Sequence, residues 1–88
     1  MKFEYDSSKS AANLAKHGID FEAAQELWES RTMTFSTKPG SDEERNMVYG
    51  MIGEKHWTAI TTNRGDAVRI ISVRRSRKEE AERYDQGF

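Results

Sequence analysis

The stretch RIISVRRSRKEEAERY, residues 69–84, contains the change of pattern that decides the fold of this chain. Its first part belongs to an alternating, β-branched run from Ala67 to Val73, which predicts a strand. Ser76 and Glu79 follow at the S-x-x-E spacing of a capping box, which predicts a helix with Ser76 as its N-cap. A strand therefore passes almost directly into a helix, and arginines cluster where the two meet.

The arginine inside this strand limits how an anion can be bound. Strict alternation places Arg69, Ile71 and Val73 on one face of the strand and Arg74 on the other. Arg69 and Arg74 can then contact one phosphate only around a sheet edge or across a β-bulge. An arginine in an apolar strand also needs an acidic partner, and Glu44 and a substrate phosphate are the two candidates.

Upstream of this stretch, the caps of one helix are readable directly. Asp6 stands at the N-cap position, and Gly18 stands where a left-handed C-terminal residue is expected. The apolar side of this helix is predicted to consist of Ala11, Ala12, Leu14 and Ala15. Asp20 is predicted to cap a second helix.

The order of the elements predicts an α+β fold in a single domain, residues 1–88. The stretch 36–44 holds the only proline and is predicted to be an exposed loop. The remaining predicted elements are a strand at 2–5, helices at 7–17 and 21–30, a strand at 33–35, and strands at 46–52 and 56–62. The predicted order is therefore β-α-α-β-β-β-β-α. Short turns between the last three strands imply a mostly antiparallel sheet.

Cations are concentrated in one segment of a nearly neutral chain. Residues 64–78 contain six cations and one anion, a local charge of +5, whereas the whole chain carries −1 and the remainder therefore −6. A local field can be strongly positive on such a molecule. The net charge therefore does not exclude an RNA-binding surface.

The composition favours a soluble cytoplasmic protein. No apolar run approaches the roughly 20 residues of a membrane span, and the first ten residues show no secretory signal. Cysteine is absent, and the two histidines, His17 and His56, fall in unrelated elements. We therefore expect no membrane association, no metal site and no cofactor.

Phosphate chemistry is the activity that the arginine cluster favours. Arginine stays protonated, so it can hold a phosphate and stabilise a charged transition state but cannot be a general base. The predicted catalytic residues are Arg69, Arg74, Arg75 and Arg45, with Glu44, Glu54, His56 and Tyr84 as proton-transfer candidates. The predicted RNA-binding residues are Arg64, Arg77, Lys78 and Lys55. The competing interpretation is a solvated charged face, with His56 and Tyr84 in ordinary surface and core roles.

Several spaced motifs resemble the BrnT family of toxins, and together they cover nearly the whole chain. They are Tyr5, Asp6, Lys9, Asn13, Lys16 to Ile19, Phe21 and Ala24, then Glu44-Arg45, Gly50, RIISVRR at 69–75 and Tyr84. Two positions depart from the pattern, since Tyr5 stands where tryptophan is common and Ser76 where alanine is common.

The resemblance implies a RelE-like fold and a metal-independent ribonuclease toxin of a type II toxin–antitoxin system that inhibits translation. It implies as partners an RNA substrate, a BrnA-type antitoxin with a ribbon-helix-helix part, and operator DNA contacted through that antitoxin. Carried over by position, the implied active-site residues are Arg69, Arg74 and Arg75, with Arg45 and Tyr84 in addition. The alternatives are a non-catalytic module that binds the antitoxin or its DNA complex, and a chain whose cations only promote solubility.

Overall fold

The computed structural model describes residues 1–37 and 44–87, which form an α+β domain around one five-stranded mixed sheet. The strands lie in the order β1-β5-β4-β3-β2, and every neighbouring pair is antiparallel except β1 and β5, which are parallel. Their bounds are β1 Lys2–Glu4, β2 Met33–Ser36, β3 Asn46–Ile52, β4 Lys55–Arg64 and β5 Ala67–Arg75. The helices are α1 Ser7–His17, a 3-10 helix Ala23–Glu29 and α2 Lys78–Gln86. The predicted α+β class and the mostly antiparallel sheet are confirmed.

Most of the predicted loop at 36–44, namely 38–43, lies outside the described residues. Within the described ranges, none of the helices combines the length and the apolar character that a membrane crossing requires.

One face of the sheet carries the hydrophobic core. Leu27 of the 3-10 helix and Phe21, which precedes that helix, are fully buried in one cluster with Ala59 of β4 and Val73 of β5. Gly50 permits this close approach, because a Cβ atom there would lie 2.8 Å from Leu27 Cδ1. The missing side chain on β3 thus sets how closely the 3-10 helix packs on the sheet.

The predicted apolar side of α1 is wrong. Leu14 is 50% exposed, and the neighbouring alanines are also exposed, whereas the buried residues of α1 are Ser10 and Asn13. Ser10 Oγ accepts a hydrogen bond from the Phe21 amide at 2.9 Å. The helix therefore contacts the rest of the molecule through short polar side chains that bond to backbone groups, so hydropathy alone assigns its faces incorrectly.

Beyond the end of the edge strand β1, the side chain of Asn13 supplies hydrogen bonds to the backbone of β5. β1 ends at Glu4, opposite Arg69, so the later part of β5 has no strand partner on that side. The Asn13 side chain donates to the Val73 carbonyl at 2.9 Å and accepts from the Val73 amide at 3.2 Å. It also donates to the Ile19 carbonyl at 2.8 Å. One amide side chain thus imitates a short piece of the missing strand.

The caps of α1 are confirmed, but the second helix differs from its prediction. Asp6 Oδ1 accepts from the amides of Ser8 and Lys9, and Gly18 has φ of 80°. Asp20 Oδ1 accepts from the Ala23 amide at 2.8 Å, as a cap would. The element that follows is a 3-10 helix, however, and it begins at Ala23, two residues later than predicted.

A β-bulge in β5 replaces the predicted strict alternation. Ile60 of β4 lies opposite Ser72, and the next residue, Thr61, lies opposite Ile70, so Ile71 is the extra residue. The bulge shifts the pattern by one position. Arg69 and Arg74 therefore share one face of the sheet, opposite to the face that carries the core.

The start of α2 is also one residue later than predicted. Ser76 is not the N-cap, because its amide donates to the His56 carbonyl at 3.1 Å and so continues the pairing between β4 and β5. The N-cap is Arg77, whose amide donates to Glu80 Oε1 at 2.8 Å. The carboxylate that satisfies this helix end is thus Glu80 rather than Glu79.

Candidate functional site

The helix α2 covers one end of the face opposite the core and encloses an ion pair. Arg74 donates from both terminal nitrogens to the carboxylate of Glu80, at 2.7 and 2.9 Å. Thr58 donates to the same carboxylate at 3.0 Å and shares a 2.8 Å hydrogen bond with Ser76. Only 6% of the Glu80 side chain and 20% of the Arg74 side chain are exposed. We call these four residues the buried clamp.

Glu80 and Arg74 of the buried clamp each stabilise the ionised form of the other. The hydrogen bonds from Arg74 lower the pKa of Glu80 to about 2 against the opposing effect of burial, helped by the Arg77 amide and the Thr58 hydroxyl. The same pair raises the pKa of Arg74. Both terminal nitrogens of this guanidinium are therefore bonded to a carboxylate that stays ionised, which gives Arg74 a structural role beneath α2.

Arg75, the next residue, lies in a contrasting environment. It is exposed, its guanidinium carbon lies 5.5 Å from the ring centroid of Trp57, and its Nε donates to the His56 carbonyl at 3.3 Å. Trp57 belongs to the core face, so the paired arginines point to opposite faces of the sheet.

Four exposed cations gather where β4 begins and β5 ends. The bond between the Ser76 amide and the His56 carbonyl continues the strand register, which brings Arg77 beside Lys55. These cations, which we call the open corner, are Lys55, Arg75, Arg77 and Lys78. None of them forms an ion pair with a carboxylate of residues 1–37 or 44–87. This corner is therefore a local positive surface that can accept an anion.

His56 and Tyr84 lie at the same end of the sheet. His56 Nε2 lies 2.8 Å from Asp85 Oδ1, and the imidazole packs edge-on against the Tyr84 ring at a centroid distance of 5.8 Å. The Tyr84 hydroxyl donates to the Arg31 carbonyl at 2.8 Å, and the side chain is buried.

The remaining predicted residues lie at the other end of the sheet. Arg69 and Arg64 both contact Glu4 Oε1, each at 3.4 Å. Of the two candidate partners of Arg69, Glu44 does not contact it in the described structure; its carboxylate accepts from the Ser36 hydroxyl at 2.9 Å. The parallel pairing of β1 with β5 places Glu4 directly opposite Arg69, which gives the arginine a nearer partner.

Arg45 belongs to this second end through its backbone. Its carbonyl accepts from the amide and the hydroxyl of Thr37, at 2.8 and 2.9 Å. Thr58 and Thr62, which pair with Arg74 and Arg69, are four residues apart on β4, a separation of about 13 Å at strand rise. The predicted catalytic residues are thus divided between two ends of the sheet, and their catalytic roles stay predictions.

Sequence reasoning did not identify two acidic residues of this region, Glu80 and Asp85. Glu80 stands three residues after Arg77, which is the capping-box spacing, but arginine is not a usual cap. The S-x-x-E match of Ser76 and Glu79, one residue earlier, fits the usual pattern better. Asp85 has no comparable signal, because only the docking of α2 brings it to His56. In the described ranges, no three His, Asp or Glu side chains are grouped so that they could hold a metal ion.

The comparison with protein families gives one match. Residues 5–80 match the model of a family described as the ribonuclease toxin BrnT of type II toxin–antitoxin systems. A search of curated proteins finds no match. The matched range begins one residue after β1 ends, and it contains the other four strands, α1, the 3-10 helix, the bulge, the open corner and Glu80. The chain therefore belongs to the BrnT family of ribonuclease toxins of type II toxin–antitoxin systems.

Proposed function

We propose that this protein is a metal-independent RNA endonuclease that arrests translation and is neutralised by a cognate antitoxin. The observation that carries the proposal is the open corner, because its four exposed cations have no carboxylate partner among the described residues. Cations of this kind bind phosphates by releasing counterions. The family membership supplies the reaction class, ribonuclease, to which this surface is suited.

The proposed reaction is attack of a ribose 2′-OH on the adjacent phosphate. Arg75 is the arginine best placed to stabilise the charged phosphorane, since it is exposed and its guanidinium is oriented by Trp57 and the His56 carbonyl. Arg69 and Arg74 contribute to the site only if RNA competes with their carboxylates, Glu4 and Glu80. The proton-transfer candidates are Glu44, Glu54, His56 and Tyr84.

The antitoxin and the cellular setting complete the proposal. The partner is a BrnA-type protein with a ribbon-helix-helix part, and operator DNA is contacted through that partner. The parallel β1–β5 pair, the antiparallel strands and the C-terminal helix α2 support a RelE-like arrangement. Translation is the target, so we place the activity in the cytoplasm.

Incubation of the purified protein with single-stranded RNA in EDTA tests the activity. We expect cleavage in the chelator and loss of cleavage when the antitoxin is added in equimolar amount. Arg75→Ala should lower cleavage strongly while leaving the fold intact, because Arg75 makes no ion pair within the described residues. Lys16→Ala, which removes a cation from an exposed position of α1, is the control and should leave cleavage unchanged.

A non-catalytic binding module is the outcome that would replace this proposal. Tight binding of the antitoxin, together with intact RNA over many sequences with and without divalent ions, would establish it. RNA cleaved only when a divalent ion is present would instead reject metal independence and keep the ribonuclease.

A further inference from the structure

His56 and Asp85 form a hydrogen-bonded pair beside the open corner. The distance from His56 Nε2 to Asp85 Oδ1 is 2.8 Å, and the two side chains are 26% and 61% exposed. Tyr84 holds the imidazole from another side, with its ring plane at 87° to that of the imidazole. The imidazole is thus fixed by a carboxylate and an aromatic ring, yet solvent and substrate can reach it.

The carboxylate determines which nitrogen of His56 is free to accept a proton. An ionised carboxylate can only accept hydrogen bonds, so a neutral imidazole at this distance donates from Nε2 to Asp85. The lone pair is then on Nδ1, which has no hydrogen-bond partner in residues 1–37 and 44–87. An imidazole with one nitrogen oriented and the other available is suited to general base catalysis.

The position of His56 relative to the cations also fits this role. Its carbonyl accepts from Arg75 Nε at 3.3 Å and from the Ser76 amide at 3.1 Å, and Lys55 precedes it on β4. Alternation along β4 turns the imidazole to the face that carries α2, opposite to Lys55 and Arg75, so an RNA strand must cross the end of β4 and β5 to contact both the cations and the imidazole.

The other proton-transfer candidates are less suited. Glu44 lies at the far end of the sheet, where its carbonyl accepts from Thr62 and its carboxylate from Ser36. The hydroxyl of Tyr84 already donates to the Arg31 carbonyl, and the side chain is 8% exposed. Glu54, in the exposed turn before Lys55, makes no hydrogen bond or ion pair with the described residues that would orient it. Of the four candidates, only His56 combines an oriented proton, a partly exposed ring and a position at the strand end beside the open corner.

We infer that His56 is the general base of the proposed RNA cleavage and that Asp85 is the positioning residue that orients it, an inference that depends on the proposed function. Nδ1 removes the proton of the 2′-OH while the bond from O2′ to phosphorus forms and the bond from phosphorus to O5′ breaks. The departing O5′ takes a proton from water, and the imidazolium returns its proton to the resulting hydroxide. The products are a 2′,3′-cyclic phosphate and a 5′-hydroxyl end.

Single-turnover and steady-state cleavage of a short RNA with one cleavable ribose tests this inference. His56→Ala should lower kcat by roughly 10²–10⁴-fold, the usual contribution of general acid–base catalysis, and leave KM unchanged. Added imidazole should restore part of the rate of His56→Ala in proportion to its concentration. Asp85→Asn should lower kcat at unchanged KM, because asparagine no longer fixes the hydrogen on Nε2.

Glu82→Gln provides the matched control for Asp85→Asn. It removes the same charge from an exposed position of α2, and we expect wild-type kcat and KM. Wild-type kcat in His56→Ala would overturn the inference. So would a folded, RNA-binding His56→Ala protein that imidazole does not restore. Should His56→Ala fail to fold, wild-type kcat in Asp85→Asn would overturn the positioning role of Asp85.

Failure of the proposed function is recognised separately. It would appear as intact RNA with the wild-type protein, together with full growth on induction without antitoxin. Failure of the present inference alone would appear as RNA cleavage by the wild-type protein that His56→Ala and Asp85→Asn leave unchanged.

Discussion

The buried clamp and the open corner are adjacent in sequence and opposite in chemistry. Arg74 is held by an ionised Glu80 under α2, whereas Arg75 is exposed on the other face of the sheet. Removing one partner of a buried ion pair is costly because it leaves the other charge buried without a partner. An exposed cation, in contrast, is available to a ligand. A pair of consecutive arginines thus divides into one that supports the fold and one that is available to a ligand.

Removal of Arg74 should produce the largest effect on stability. Arg74→Ala leaves the carboxylate of Glu80 buried without its partner, so we expect a loss of about 3–5 kcal/mol in the free energy of unfolding. Urea denaturation followed by circular dichroism measures it. Arg75→Ala, its neighbour, should cost no more than about 1 kcal/mol, the value of an exposed cation–π contact. Equal losses in the two variants would remove the distinction between the clamp and the corner.

Acid should weaken the clamp in a defined pH range. The pKa of Glu80 in the folded state is about 2, below its ordinary value of 4.5. The unfolded state therefore takes up the proton first as pH falls, and the contribution, on the order of 3 kcal/mol, is lost between about pH 4.5 and pH 2.

A variant without the ion pair separates this contribution from that of other carboxylates. The double variant Arg74→Met, Glu80→Leu should be close to the wild-type protein in stability at neutral pH, because apolar replacement of both partners is often neutral. Its stability should decline less steeply over the same pH range. Parallel pH curves for the two proteins would show that Glu80 contributes no acid sensitivity.

Asn13 should contribute to the free energy of unfolding, because its side chain bonds to the backbone of Val73, the residue before the two arginines. Asn13→Ala leaves the buried amide and carbonyl of Val73 without their side-chain partner, so we expect a loss of about 1–3 kcal/mol. Faster hydrogen exchange of the Val73 amide should accompany it. Lys16→Ala, at an exposed position of the same helix, is the control and should change neither quantity.

The smallest effects concern RNA affinity and its salt dependence. Arg75→Ala and Arg77→Ala should each reduce the slope of log K against log salt for single-stranded RNA by about 0.7. Arg64→Ala should leave the slope unchanged, because Arg64 contacts Glu4 at the other end of the sheet. A larger effect from Arg64 than from Arg75 would move the RNA-binding surface to that end.

Local signals in the sequence predicted most of the elements correctly. The caps at Asp6 and Gly18 depend on neighbours within four residues, and both are where they were expected. The strand run from Asn46 to Arg75 was readable from alternation and short turns, with bounds that differ by at most two residues. Such local signals predict the structure correctly because the hydrogen bonds within a turn or a cap need no partner from a distant part of the chain.

The errors concern residues whose environment depends on distant segments. Ser76 has a suitable cap spacing, but its amide is taken by His56, 20 positions earlier in the chain. Arg69 pairs with Glu4, across the only parallel junction of the described sheet. Hydropathy predicts that the alanines of α1 are core residues, yet they are exposed. It does not reveal that the helix docks through Asn13, which bonds to Val73.

The sequence by itself determined the order of the elements, the caps of α1, the local charge of residues 64–78 and the resemblance to BrnT toxins, since each depends on composition or short spacing. The tertiary structure alone decided which cations are available. One extra residue in β5 turned Arg69 and Arg74 to the same face, and the packing of α2 paired Glu80 with Arg74 and Asp85 with His56. Strand register and helix docking depend on contacts between residues that are distant in the sequence. Those contacts determine that Arg74 is structural and that Arg75 is available to a ligand.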